Sequence, residues 1–307
     1  MKIQFYKAHL ALFLVNVLYG AGHVIAKGVM PEFLTPSVFI FLRVLGAVVF
    51  FWTLSLIFRK SRINRKDIPL FILCGIFGVA VNQLFFFHGL NLSSSFNSGI
   101  IMAMNPIMVG ILSYFLLKEK PTIYRVSGVL IGAAGAIFLT LKGGTKGGDS
   151  ILGDLFLIIN AMSYALYLVL AKPLMTRYAP ITVITWVFTF GLFFVCLFPS
   201  TLPDLIQTDF TSFPQEIYLK IMYIVVGVTF LTYLLTIYGL KFLSPTVSSS
   251  YIYFQPLLVV FFAFLFSYLN WSEDYTNTIT FEKIAYMLLI FVGVYLTSRT
   301  TKKNQYE

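Results

Sequence analysis

Along this chain of 307 residues, apolar runs of membrane-spanning length alternate with short polar connections. The runs lie roughly at 9–28, 36–58, 68–89, 94–117, 123–141, 152–172, 180–199, 216–240, 245–269 and 280–298. Each is close to the ~20 residues that a helix needs to cross a bilayer. Lipid offers the backbone no hydrogen-bonding partner, so each run must pair its own amides as a helix. Short alternating segments, the mark of a membrane β-barrel, are missing from the pattern. The expectation is an all-α integral membrane protein with ten transmembrane helices.

The pattern also repeats. The run from Ser93 to Lys120 has a second copy from Ser248 to Glu273. Gly89-Leu90 matches Gly239-Leu240, and Asn105-Pro106 matches Gln255-Pro256, both at an offset of 150 positions. Nearer the start, Tyr19, Ala26, Lys27 and Met30 match Tyr164, Ala171, Lys172 and Met175 at an offset of 145, and Asn16 matches Asn160 after one gap. Leucine-rich runs align with anything, so the weight falls on the Gly-Leu and polar-Pro anchors. The one glycine-rich stretch, at 141–150, joins the copies and divides the chain into repeats 1–146 and 147–307. Five spans per half is odd, so the second half enters the membrane from the opposite face. Such inverted-topology repeats are typical of secondary transporters.

Composition agrees with the pattern: 58% of residues are hydrophobic and 11% charged, with a mean hydropathy of +0.86, which excludes a soluble fold. The net charge of +10 resembles a nucleic-acid signal until its placement is read. With the N-terminus inside, the cytoplasmic connections hold sixteen basic residues against three acids, and the other face holds five against nine. That bias places both termini in the cytoplasm, and the RKSRINRK run suits anionic lipid headgroups rather than nucleic acid. The start of the chain resembles a signal peptide, but Asn16 and His23 within its apolar run favour an uncleaved first helix. Cys74 and Cys196 read as two separate buried thiols.

Polar side chains inside a bilayer need a partner or a task. Asn16, Tyr19 and His23 recur on one face of the first span, and Asn160, Tyr164 and Tyr167 on one face of the sixth. These faces either surround a midplane cavity or bond neighbouring helices. Arg43, deep in the second span, either clamps an anionic group of a substrate or pins helix-end carbonyls. Asn82 and Gln83 are adjacent, so at least one turns inward. In the fourth span Asn97, Ile101, Asn105 and Met108 share a face, with Gln255, Tyr251 and Ser248 as counterparts in the ninth. Pro106 and Pro256 each remove a backbone donor, making either a hinge or a fixed kink. Tyr233, Thr236 and Tyr238 in the eighth span are weaker candidates. Gly128 and Gly132, four apart, let a helix approach closely within the bundle or in a homodimer.

No Asp or Glu lies centrally in a span, so the carboxylate relay of many proton-driven carriers is missing. His23 and His88 are candidates for proton coupling; uniport or exchange fits as well. The sequence holds no phosphate-binding loop, metal-ligand cluster or nucleophile elbow, so no cofactor and no enzymatic activity are expected.

The paired Asn105-Pro106 and Gln255-Pro256, the Leu117–Lys120 end with Glu119, the glycines from Gly128 to Gly135, and Arg43 together resemble the drug/metabolite transporter superfamily, specifically its ten-helix EamA-type members. The second half departs from the pattern at an acidic segment, 270–280, and in its sparser glycines. The resemblance implies two EamA-like repeats in the inner membrane and transport of small metabolites, often export of amino acids or related compounds. The cavity would be lined by spans 1, 3, 4, 6, 8 and 9. Nucleotide-sugar or drug carriage on the same fold, and a non-transporting scaffold or receptor, are the rivals.

Overall fold

The computed structural model describes residues 2–27, 29–30, 32–57, 63–92, 101–102, 104–142, 151–268 and 281–298. Asn97 and the side chains of His23, Lys27 and Pro256 lie outside the described residues. The described residues are helical, with no strand among them. The principal helices are α1 (Lys2–Lys27), α2 (Pro36–Ile57), α3 (Arg65–Leu92), α4 (Asn105–Leu117) and α5 (Ile123–Lys142). In the second half they are α6 (Ile151–Arg177), α7 (Pro180–Cys196), α8 (Gln215–Phe242), α9 (Phe254–Tyr268) and α10 (Phe281–Ser298). By length and composition α2, α3, α6 and α8 each suffice to cross a membrane, as do α7 and the short helix Thr201–Gln207 taken together, with a bend of 77° between them. The count of ten stays a sequence expectation.

Prolines mark the helix starts. Pro36, Pro180 and Pro245 open their helices, where a missing amide hydrogen removes no bond and the fixed φ is already helical. Pro106 follows the same rule. The sequence places it within one continuous span over 94–117, but α4 begins at Asn105 after a turn at Met104. Pro106 therefore opens a half-helix rather than kinking a whole one. The ninth span is interrupted in the same place: a helix at Pro245–Ser250 and a 3-10 turn at Tyr251–Tyr253 precede α9. Both polar-Pro pairs stand in the first turn of a half-helix.

The halves interleave. From the first half α1 packs on α8 and α9, α2 on α7 and α8, and α3 on α6 and α7. At the outer edge α5 packs against α10. A Cβ on Gly128 would lie 2.5 Å from Thr297, and one on Gly132 2.5 Å from the Tyr253 ring. The close approach foreseen from this spacing is thus made inside the chain, against α10 and Tyr253. Within the second half Lys172 ties α6 to the end of α8: its Nζ donates to the carbonyls of Leu240 at 2.7 Å and Leu243 at 2.6 Å. A cation suits these unpaired C-terminal carbonyls of α8.

Candidate functional site

Helices α3 and α8 each contain one widened turn of π type, at Ile76–Ala80 and Ile224–Leu231. These segments are repeat equivalents at the 150-residue offset. A π turn leaves carbonyls out of register with the helical ladder, and such turns cluster at functional sites. Here side chains take them up. Ser163 Oγ donates to the Phe77 carbonyl at 2.5 Å, and Tyr233 Oη donates to the Gly78 carbonyl at 3.1 Å.

Just beyond the wide turns, Gln83 and Tyr233 meet. They are 150 positions apart, and Gln83 Nε2 donates to Tyr233 Oη at 3.4 Å. Residues at equivalent positions of two repeats touch only on the axis that exchanges the repeats, so this contact marks the pseudo-twofold axis. Asn82 Oδ1 lies 3.4 Å from the same hydroxyl, and Asn160 Nδ2 donates to the Asn82 carbonyl at 2.6 Å.

Tyrosines and threonines complete the cluster. Tyr19 of α1 stands beside Thr232, and its repeat partner Tyr164 of α6 beside Thr236. The rings of Tyr164 and Tyr167 stand 6.1 Å apart, and those of Tyr167 and Tyr233 6.4 Å apart.

Arg43 enters from α2 and is only 5% exposed. Its Nε donates to Thr229 Oγ1 at 3.0 Å, and its guanidinium carbon lies 5.4 Å and 5.0 Å from the rings of Phe39 and Phe87. Tyr19 and Tyr233 are within its electrostatic reach. Among the described residues no carboxylate forms an ion pair with it. It pins no helix-end carbonyl in any bond found there. Burying a lone cation costs several kcal/mol, and aromatic faces return on the order of 2 kcal/mol each when desolvated.

The cluster also leaves acceptors and donors idle. Among the described residues Gln83 Oε1, Tyr167 Oη and Asn105 Oδ1 are buried with no hydrogen-bond partner, and each such group carries a desolvation penalty of about 1–3 kcal/mol. An uncompensated cation beside unpaired polar atoms is an arrangement that a small polar ligand completes. Among the described residues no group of three His, Cys, Asp or Glu side chains is placed to hold a metal.

Of the candidates from sequence, Tyr19, Arg43, Asn82, Gln83, Asn160 and Tyr164 converge here. Asn105 adjoins them, its Nδ2 donating to the Ala161 carbonyl at 2.8 Å. Asn16 is buried but bonds its own helix, at the Leu12 carbonyl. Gln255 is half-buried in the first turn of α9, with no side-chain bond found. His88 lies at the far end of α3, 3.4 Å from Ser37 Oγ. Thr229, Thr232 and Ser163 escape sequence reasoning, although the repeat offset applied to Asn82 points at Thr232. His9 was also missed; its Nδ1 lies 2.6 Å from Tyr251 Oη.

Two interleaved, inverted helical repeats around a buried polar axis define a multi-pass membrane protein of transporter architecture. The chain belongs to the EamA-like transporter family, whose model matches it twice, over residues 6–141 and 151–299. It is similar to the uncharacterized transporter YetK of Bacillus subtilis (strain 168), 27% identical over 61% of this chain, although the match spans only 58% of YetK. An uncharacterized transporter of Archaeoglobus fulgidus is 25% identical over 74% of each chain. The uncharacterized transporter YoaV of Bacillus subtilis (strain 168) is 22% identical over 97% of this chain and 99% of its own length. A crystal structure with 18% identity superimposes with a TM-score of 0.73 over 95% of this chain, which establishes a shared fold.

Proposed function

We propose that this protein is a secondary carrier of small zwitterionic metabolites, amino acids or close relatives, working by alternating access. The observation that carries the reading is Arg43, buried beside the repeat axis with no carboxylate partner among the described residues. A substrate carboxylate would supply the missing charge. Gln83 Oε1, an idle acceptor near the axis, suits a substrate ammonium, and the tyrosine faces suit an apolar body. A polyanion would need further cations, and among the described residues the cluster contains only Arg43. The membrane is the inner cell membrane, with both termini cytoplasmic, as the placement of basic residues supports. Net export is the direction the family resemblance favours.

The half-helices that begin at Asn105 and Phe254 are the elements that rock. Each follows a turn, at Met104 or the 3-10 turn Tyr251–Tyr253, where a change of φ and ψ costs few of the half-helix's own bonds. The test is uptake of a labelled amino-acid panel into proteoliposomes, wild type against Arg43→Gln. Uptake of at least one amino acid that the variant loses supports the proposal. Uptake of none, or equal uptake by both proteins, overturns it; no uptake and no binding would favour a scaffold.

A further inference from the structure

A crevice of about 290 Å³ separates α4 from α5, away from the polar axis. It exists because the two helices are drawn to different partners. The glycine face of α5 is seated on α10, while α4 leans on α6 and on the short helix Pro245–Ser250. Gly110 and Thr246 form its floor. Its walls carry Ile111 and Phe115 from α4 and Leu130 from α5, which are 54%, 71% and 57% exposed. In a membrane protein these exposed side chains face hydrocarbon, so the crevice opens to the lipid phase.

One end is charged. Glu119, Lys120 and Arg125 line it, and Arg125 Nη1 pairs with Glu119 Oε2 at 3.4 Å. That pair is internally neutralised, which leaves the lining with one net positive charge, at exposed Lys120. The first turn of α5 opens beside it with no acid of its own, and Thr122 Oγ1 accepts from the Arg125 amide at 3.3 Å. A helix N-terminus next to a free lysine favours a monoanion. An apolar slot open to lipid and a single positive end match one class of molecule in shape and charge.

We infer that the α4–α5 crevice binds an anionic phospholipid, one acyl chain lying between the two helices and the phosphodiester at Lys120 and the start of α5. The chain follows the Ile111, Phe115 and Leu130 walls down to Gly110. Glu119 holds Arg125 in place at the mouth and disfavours headgroups with more than one negative charge. A lipid there also braces α4 against α5, which do not otherwise pack tightly.

The experiment is native mass spectrometry of the full chain in detergent, titrated with dioleoyl phosphatidylglycerol, phosphatidylcholine or soluble glycerol 3-phosphate. Phosphatidylglycerol should be retained in preference to phosphatidylcholine, and Lys120→Gln should lower its retention by about fivefold. Gly110→Leu fills the floor, where a Cβ meets only Thr246 Cγ2 at 3.8 Å, and should abolish retention in a protein whose helical circular dichroism is unchanged. Equal retention of both lipids, or insensitivity to Lys120→Gln, would reduce the crevice to a non-selective lipid contact and overturn the proposal. Displacement of the lipid by glycerol 3-phosphate at similar concentration would assign the site to a free phosphate instead, and also overturn it.

Discussion

Helices α3 and α8 are repeat partners, each wound through a π turn, yet they bring different side chains to the axis they share. Where α3 presents Asn82 and Gln83, α8 presents Thr232 and Tyr233. The difference is larger between α2 and α7: the eighth residue of α2 is Arg43, and the eighth of α7 is buried Val187. Duplication supplies two equivalent positions for every element, and divergence fills them unequally. A symmetric lining would accept a small asymmetric solute in two orientations. Among the described residues a cation stands on one side of the axis only, so a ligand with unlike ends has one preferred way to lie.

The sharpest way to break this asymmetry is Arg43→Ala, expected to lower transport by about a hundredfold in proteoliposomes. Arg43→Met should be equally inactive, with thermal stability unchanged or raised, because an apolar side chain of similar length removes the buried charge. A Met variant that transports like wild type would show that the cation has no part in binding.

Next in size is the axial pair. Tyr233→Phe strips Gln83 Nε2 and the Gly78 carbonyl of their shared partner, and should destabilise by about 1–3 kcal/mol. Combined with Gln83→Leu in a denaturation cycle, the two changes should be non-additive by about 0.5–3 kcal/mol. Additive effects would mean the repeats do not touch there.

The two wide turns differ in packing as well. A Cβ on Gly78 would fall 2.4 Å from the Tyr167 ring, whereas one on Gly227 meets Tyr223 at an ordinary 3.4 Å. Gly78→Ala should cost about 1–3 kcal/mol by overpacking, and Gly227→Ala should be neutral or stabilising by up to about 1 kcal/mol. Equal effects on the melting temperature would contradict this difference.

The smallest effect concerns Glu119, at the end of α4. Burial pushes its carboxyl pKa above the usual value, partly offset by Arg125 and Lys172. The folded protein then holds this proton more tightly than the unfolded chain, so stability falls as pH rises through the carboxylate range. Glu119→Gln should flatten that slope in melting curves taken from acid to neutral pH; an unchanged slope would assign it to another group.

Much of this was legible from the chain. The duplication, the membrane class, and the buried placement of Arg43, of Asn160 and of at least one of Asn82 and Gln83 follow from local sequence pattern. Tyr233 was visible only as a weak candidate, because a tyrosine in a membrane helix is more often an interfacial anchor. Asn16 was misleading: its spacing matches Asn160, yet it bonds its own helix, and periodicity does not reveal whether a polar side chain reaches outward. Pro106 looked like a mid-span kink because apolarity continues through it, and apolar residues alone do not show where a helix pauses.

The sequence by itself determined that the chain lies in a membrane as two related sets of helices, because the penalty for unpaired backbone in hydrocarbon acts on every residue of a run. Only the tertiary structure decided which polar groups share the axis, which glycine face is already covered, and where the long spans break. Those outcomes depend on how each helix is rotated and tilted against its neighbours, and that balance is struck between residues far apart in the chain.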